Sequence, residues 1–229
     1  MKKGKASCRL FPEHPYVILC EGRDEELFLR CYIAYLVEEH FVPDAFNIIN
    51  LGGIEDMRRI MPLFPSLADF DQMKGFLVVR DAETNAVGAV QSVQQTLQRA
   101  FGIEIAADGH FVKNQEGMQF GFVLLPGLEA GNTFCNGTLE DLCCRILSFP
   151  DGTCCGQSLL DLADSYLGMI EEKSRHSFRT KHKNRLHAYM SGTDDFVGMK
   201  IGEAARANCF DFSSEALDFL KDAIVTLAS

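Results

Sequence analysis

The chain has 229 residues, of which 47% are hydrophobic and 24% are charged, and its net charge at pH 7 is −10. This composition predicts a folded globular protein, with one domain and an extension, and argues against a disordered chain. No apolar run reaches the roughly 20 residues that span a bilayer, and no signal core follows the basic start, so we expect a cytoplasmic protein with no membrane segment.

The first half of the chain alternates strand and helix patterns. Short apolar runs predict strands at 16–20, 46–51, 75–80 and 120–125. Helical periodicity predicts helices over 24–39, 54–70 and 86–101, the second interrupted at Pro62 and Pro65. Strands separated by such helices predict an α/β fold, with a mostly parallel sheet and helices on both faces. The stretch 109–119 is ambiguous and is compatible with a strand that forms a hairpin with the fourth strand.

The second half is mostly helical. Helices are predicted over 138–147, 156–173, 184–190, 197–207 and 213–228, and Asp211–Glu215 has the pattern of a capping box. We therefore expect an α/β core over 1–150 and a helical C-terminal part over 151–229. With no clear linker between them, the helical part is expected to pack on the core within one structural domain.

Carboxylates follow the strands at three corners of the predicted sheet. Glu21 and Glu25 follow the first strand, Asp81 and Glu83 follow the third, and Glu140 lies early in the helix after the fourth. The carboxyl ends of parallel strands meet at one edge, and crowded carboxylates need a compensating cation. Mg²⁺ prefers such oxygen ligands. In a regular strand Asp81 and Glu83 would point to the same side.

Each of these residues also has a simpler interpretation. Acidic residues in the first turn of a helix stabilise its dipole, and Asp24 and Asp141 fit that role best. Helix dipoles explain the carboxylates less well as a group, because these residues follow the ends of two apolar strands.

Five short motifs in order give a resemblance to a known family. They are Glu-Gly-x-Asp-Glu at 21–25, Asp-x-Glu at 81–83, Gly-Thr-Leu-Glu-Asp-Leu at 137–142, His-Ala-Tyr-Met-Ser-Gly at 187–192 and Gly-Glu-Ala-Ala at 202–205. The chain resembles the Toprim domain, and more closely the small stand-alone, OLD-type Toprim proteins of bacteria, a family of unknown function. The resemblance runs from Val17 to the final helix.

The resemblance implies a Rossmann-like Toprim sheet and Mg²⁺- or Mn²⁺-dependent phosphodiester chemistry on nucleic acid, most simply that of a nuclease. It implies that Glu21 is a general acid/base or metal ligand, and that Lys183 is a catalytic lysine that stabilises phosphate charge. The metal ligands that it implies are Asp81, Glu83, Glu25 and Glu140.

Two positions depart from the Toprim pattern. Glu83 replaces the second Asp of the Asp-x-Asp motif, and Arg80 stands where an apolar residue is usual. Strand alternation predicts that Arg80 faces away from Asp81 and pairs elsewhere, for instance with a helix carboxylate. An Arg80 that filled the site would favour the alternative function. This is a catalytically degenerate Toprim module that binds nucleic acid or regulates a partner, such as an ATPase.

A basic segment interrupts this acidic chain. Between residues 173 and 185 there are six Lys or Arg and no Asp or Glu. We expect it to contact DNA or RNA phosphates near the acidic site. Its alternative interpretation is a solvated face. The residues expected to bind nucleic acid are Lys173, Arg175, Lys181, Arg179 and Arg185.

The nine cysteines and His187 give no separate site. Cys143–Cys144 and Cys154–Cys155 are adjacent pairs that lack the spacing of a zinc knuckle, so we expect reduced, mostly buried thiols and no zinc. His187 lies in a predicted helix, where packing is its default role.

Overall fold

The computed structural model describes residues 14–67, 69–129, 133–148 and 158–229. Five strands form the main sheet, in the order β2-β1-β3-β5-β4. The strands are β1 (Tyr16–Cys20), β2 (Phe46–Asn50), β3 (Gly75–Asp81), β4 (Val112–Lys113) and β5 (Gln119–Leu125). The first four in the spatial order are parallel, and the short β4 pairs antiparallel with β5. This mostly parallel sheet confirms the predicted α/β class.

Helices fill the connections and the C-terminal half. They are α1 (Arg23–Glu38), α2 (Ile54–Ile60), α3 (Ala86–Phe101), α4 (Leu139–Arg145), α5 (Leu159–Ser174), α6 (Lys181–Ser191), α7 (Ile201–Arg206) and α8 (Asp218–Leu227). Three 3-10 turns lie at Met61–Ser66, Phe70–Gln72 and Glu215–Leu217. A two-stranded hairpin, β6 (Leu128–Glu129) with β7 (Thr133–Phe134), follows β5. In the described part of the chain, no helix is long and apolar enough to cross a membrane.

Alternation along the strands divides the apolar residues between two cores, one on each face of the sheet. On β1, Ile18 and Cys20 belong to the first core, whereas Val17 and Leu19 belong to the second. The first core contains the buried residues of α1, α4 and α6 to α8, and the second contains those of α2 and α3. Helices therefore cover both faces, as the parallel sheet requires.

The C-terminal helices complete the first core. Leu220, Ile224 and Leu227 of α8 are fully buried, and α8 packs on β3 and β5. Helix α7 lies so close to α1 that a Cβ on Gly202 would stand 2.4 Å from Leu27 Cβ. Gly202 and the buried Ala204 and Ala205 thus explain the Gly-Glu-Ala-Ala motif as a helix-packing surface.

Element bounds agree with the sequence prediction where the pattern is strong. The predicted 86–101 helix and 16–20 strand are confirmed, and β4 confirms the hairpin with β5. Helix α2 ends at Ile60, because Pro62 lacks an amide hydrogen and the chain continues as a 3-10 turn.

The predicted bounds of several C-terminal elements were wrong. Helix α6 begins three residues earlier than predicted, α7 is shorter at both ends, and the final segment begins as a 3-10 turn capped by Ser214 instead of the Asp211–Glu215 box. The predicted start at 156 and the pair Cys154–Cys155 lie outside the described residues. Among the described cysteines, all but Cys31 are buried.

Candidate functional site

The candidate site lies at the switch point of the sheet, where successive connections lead to opposite sides. β1 has β2 on one side and β3 on the other, so the connections after β1 and β3 diverge at their carboxyl ends. Open α/β sheets bind ligands in the crevice at such a point. Glu21 directly follows β1, and Asp81 is the last residue of β3.

Asp81 is the most perturbed carboxylate of the site. It is 8% exposed, and its Oδ1 accepts a hydrogen bond of 2.9 Å from the Leu139 backbone amide. Burial, with the nearby charges of Glu25 and Glu140, raises the pKa of Asp81 to about 8. In the absence of a cation, this carboxyl group is therefore mostly protonated at pH 7.

The loop after β3 is joined to the start of α4 by paired hydrogen bonds. Glu83 and Gly137 exchange two backbone hydrogen bonds, each 2.8 Å long. The Asp141 carboxylate accepts hydrogen bonds from the Thr138 amide at 2.9 Å and from its hydroxyl at 3.2 Å. Asp141 therefore has the helix-capping role that its position suggested, and this cap holds Leu139 and Glu140 beside β3.

Glu83 does not continue the alternation of β3. The strand ends at Asp81, and Glu83 is exposed and has a left-handed φ of 55°. Asp81 and Glu83 therefore do not share one side of a regular strand, and this prediction was wrong. Glu83 remains close enough for its charge to raise the pKa values of Asp81 and Glu21.

Glu25, in the first turn of α1, folds back toward the start of its helix. A Cβ on Gly22 would stand 2.4 Å from Glu25 Oε2, so the glycine makes room for this carboxylate. Burial raises the pKa of Glu25, its own backbone amide and the charge of Lys183 lower it, and the charge of Glu140 raises it further. Glu25 thus lies within the same negative cluster as Asp81.

Lys183 reaches this cluster from α6. Its Nζ lies 3.4 Å from Oε1 of the buried Glu140. The charge of Glu140 raises the pKa of Lys183, and the charges of Asp81 and Glu25 act in the same direction. The structure thus brings Lys183, which the sequence places 102 residues after Asp81, into electrostatic contact with the strand-end carboxylates.

Arg80 pairs with Glu21, which corrects the sequence prediction. Arg80 Nε lies 2.8 Å from Glu21 Oε1, and both side chains are largely buried. β1 and β3 pair up to Leu19 opposite Val78, and extending this register by two places brings Glu21 level with Arg80. Side-chain alternation along β3 indicated correctly that Arg80 and Asp81 point to different faces of the sheet. It could not indicate that Glu21 points to the same face as Arg80, because that depends on the register between β1 and β3.

The site is therefore one charged cluster with two halves. Asp81, Glu140 and Lys183 form one half, and the Glu21–Arg80 ion pair forms the other. Glu25 raises the pKa values of both Asp81 and Glu21, so it lies near both halves. Even with Asp81 protonated, negative charge exceeds positive charge, because four glutamates are opposed by only two cations.

The donor set suits a hard divalent cation only in part. Within the ranges that the structure describes, no three His, Cys, Asp or Glu side chains are arranged as a preformed metal site. Mg²⁺ nevertheless often takes one or two carboxylates and keeps several waters. Asp81 meets this requirement, because crowding by Glu25 and Glu140 opposes its ionisation and a bound cation would favour it.

The basic segment divides into paired and exposed cations. Lys181 Nζ lies 3.0 Å from Glu171 Oε2, and Arg185 makes a bidentate pair with Asp164. These partners lie on α5, so Lys181 and Arg185 help to hold α6 against α5. Lys173, Arg175 and Arg179 are exposed, as is His187.

Sequence reasoning missed two features of the site. The first is the hydrogen bond from the Leu139 amide to Asp81, because its donor is a backbone group that no residue pattern identifies. The second is the Arg80–Glu21 pair, which depends on the register between β1 and β3. The sequence indicates that these segments are apolar strands but not how they pair.

Comparison with known proteins identifies the family. The chain belongs to the family described as "Protein of unknown function (DUF3226)", whose model matches residues 15–229. No curated protein matches the chain.

Two similar solved structures contain the C-terminal region of the OLD protein of Xanthomonas campestris pv. campestris. The first is 14% identical, with a TM-score of 0.37, and the match covers 93% of this chain and 97% of that one. The second is 13% identical, with a TM-score of 0.38, and covers 93% and 95%. These scores describe only a loose resemblance in shape.

Proposed function

We propose that this protein carries out Mg²⁺- or Mn²⁺-dependent phosphodiester chemistry on nucleic acid, as a nuclease of the Toprim type. The observation that carries the proposal is the position of Asp81, which is buried at the end of β3 near Glu25 and Glu140. Burial first, and then the charges of these two residues, raise the pKa of Asp81 to about 8. A divalent cation beside Asp81 would relieve this repulsion. The Toprim-like order of the motifs supports the same assignment.

Each charged residue then has a role. Asp81 would hold the ion, with Glu25 or Glu140 as a second ligand and Glu83 at the exposed side of the cluster. A bound Mg²⁺ stabilises charge on phosphoryl oxygens.

Two further residues, one from each half of the site, would act on the reacting groups. Lys183 would place positive charge beside a substrate phosphate, and Glu21 would orient or deprotonate the attacking water. Burial raises the pKa of Glu21, and the charge of its partner Arg80 opposes but does not cancel this rise.

A cleavage assay tests this function. Supercoiled plasmid, single-stranded DNA and RNA are each incubated with the protein and millimolar Mg²⁺ or Mn²⁺, with and without a chelator. We expect metal-dependent cleavage by the wild type and by the control Asp44→Asn, whose side chain is exposed outside the site. Asp81→Asn should lose it. Cleavage without metal, or cleavage retained by Asp81→Asn, contradicts the proposal.

A further inference from the structure

A second pocket lies at the outer edge of β5, and the proposed nuclease function does not use it. It has a volume of about 200 Å³ and lies between β5, the loop around Gly109, the β6–β7 hairpin and α8. Its lining residues include four phenylalanines; they are Phe111, Phe122, Phe134 and Phe219. The volume is below the usual range for drug-sized ligands, so the pocket suits one small ring system.

Glycines hold these aromatic walls in place. A Cβ on Gly121 would stand 2.7 Å from the ring of Phe111, and a Cβ on Gly127 would stand 2.8 Å from the ring of Phe219. Both rings therefore lie directly against backbone, with little freedom to turn. The pocket is formed before any ligand enters, which reduces the entropy lost on binding.

The remaining wall is fixed by the loop before β4. Gly109 has a φ of 76°, and its carbonyl accepts a hydrogen bond of 3.3 Å from the Phe122 amide. A Cβ on Gly109 would stand 2.0 Å from the Phe122 carbonyl oxygen, so only glycine fits. The rings of Phe122 and Phe134 then pack with their centroids 5.6 Å apart.

Two of the four polar residues that line the pocket are acidic. They are Asp108 and Asp222, and the other two are His110 and Thr226. Asp108 Oδ2 lies 3.1 Å from His110 Nδ1. A hydrogen bond from the His110 amide lowers the pKa of Asp108, so that carboxylate is charged at neutral pH. Carboxylates accept hydrogen bonds and repel anions, so a ligand that contacts either one must offer donors.

We propose that this pocket binds a nucleobase that carries an amino group. Its flat faces would stack on the phenylalanine rings, and its amino group would donate to Asp108 or Asp222. The base belongs either to a free nucleoside or to a nucleic acid strand. Val123 also lines the pocket, about 7 Å along β5 from Leu125, the register partner of Asp81. The inference does not depend on the proposed nuclease function.

A fluorescence titration with 2-aminopurine riboside tests the site. The chain contains no tryptophan, so the signal of the probe is well separated from that of the protein. We expect the fluorescence to be quenched at micromolar to millimolar protein, and adenosine to displace the probe more strongly than adenosine monophosphate. If an adenine-containing single-stranded oligonucleotide displaces the probe but adenosine does not, the natural ligand is a base within a nucleic acid strand.

Four variants separate the pocket from general effects. Phe134→Leu keeps an apolar side chain but removes the ring, and it should weaken probe binding at least about fivefold. Asp222→Asn is an exposed change and should weaken it about threefold to tenfold. The controls Glu38→Gln and Asp44→Asn, both exposed outside the pocket, should leave it unchanged. The proposal is overturned if millimolar protein does not quench the probe, if neither pocket variant weakens binding, or if indole displaces the probe and adenosine does not.

Discussion

Arg80 and Glu21 lie level with each other on neighbouring parallel strands, with 2.8 Å between Arg80 Nε and Glu21 Oε1. The contact has the geometry of an ion pair without an aligned hydrogen bond, and Arg80 Nη1 is buried with no hydrogen-bond partner among the described residues. This pair holds a charged carboxylate in a largely buried position. Its removal should therefore be costly.

Arg80→Met should reduce the free energy of unfolding by on the order of 3 kcal/mol, because it leaves Glu21 as a buried charge without its partner. The loss should be smaller at pH 5 than at pH 8, since protonated Glu21 carries no charge. Urea denaturation at both pH values measures this. The double variant Arg80→Met with Glu21→Gln should recover part of the stability, and additive losses would argue against a direct pair.

The raised pKa of Asp81 predicts that the metal-free protein loses stability as pH rises. The unfolded chain releases this proton near pH 4, whereas the folded chain keeps it up to about pH 8. Between these values the folded state binds more protons, so unfolding becomes easier by about 1.4 kcal/mol per pH unit from this group. Asp81→Asn should flatten the slope measured by urea denaturation from pH 5.5 to 7.5. Asp44→Asn should keep the wild-type slope, and equal slopes in all three proteins would contradict the assignment.

Metal binding should show the opposite dependence on pH. A cation must displace the proton of Asp81, so Mn²⁺ should raise the melting temperature more at pH 8 than at pH 6. The shift is measured by differential scanning fluorimetry against a chelator blank. Asp81→Asn should remove it, whereas Asp44→Asn should not, and an identical shift in Asp81→Asn would place the ion elsewhere.

The two kinds of cation in the basic segment should differ in their effect on nucleic-acid binding. Arg175→Ala with Arg179→Ala removes two exposed charges and should lower the slope of log affinity against log salt by up to about 1.8 on duplex DNA. Lys181→Ala should change the slope less, since Lys181 is paired with Glu171. Filter binding over a salt series compares them. An unchanged slope in the double variant would leave the segment as a solvated face.

Two helical glycines provide a matched test of the packing between α1 and α7. Gly202→Ala should destabilise the protein by about 1–3 kcal/mol, because the new Cβ would stand 2.4 Å from Leu27 Cβ. Gly168→Ala on α5 meets no atom within 4 Å and should stabilise the protein by about 0.5–1 kcal/mol. Thermal denaturation of both variants compares them, and a neutral Gly202→Ala would contradict the close approach.

Sequence reasoning succeeded where one local pattern decides the outcome. The apolar run at 16–20 and the helical period at 86–101 gave correct elements, because each buries a face that is continuous in the sequence. The two-residue strands β6 and β7 have no such pattern. Predicting the partner of Glu21 also requires strand register, which depends on how two distant segments pair.

The same distinction applies to the charged cluster. The carboxylates near the strand ends were identifiable because parallel strands collect their carboxyl ends at one edge. The crowding that perturbs Asp81 depends on Glu140 and on burial by α4, and neither distance nor burial was readable from residue spacing.

The position of α8 constrains how the protein is made. Its buried side chains cover the sheet face formed by Leu77 and Val79 of β3, although α8 follows β3 by more than 130 residues. Until residues 218–227 have been synthesised, that face of the sheet is exposed to water and to other chains, and such an intermediate is prone to aggregate. The acidic cluster therefore lies on a fully covered sheet only after α8 has docked.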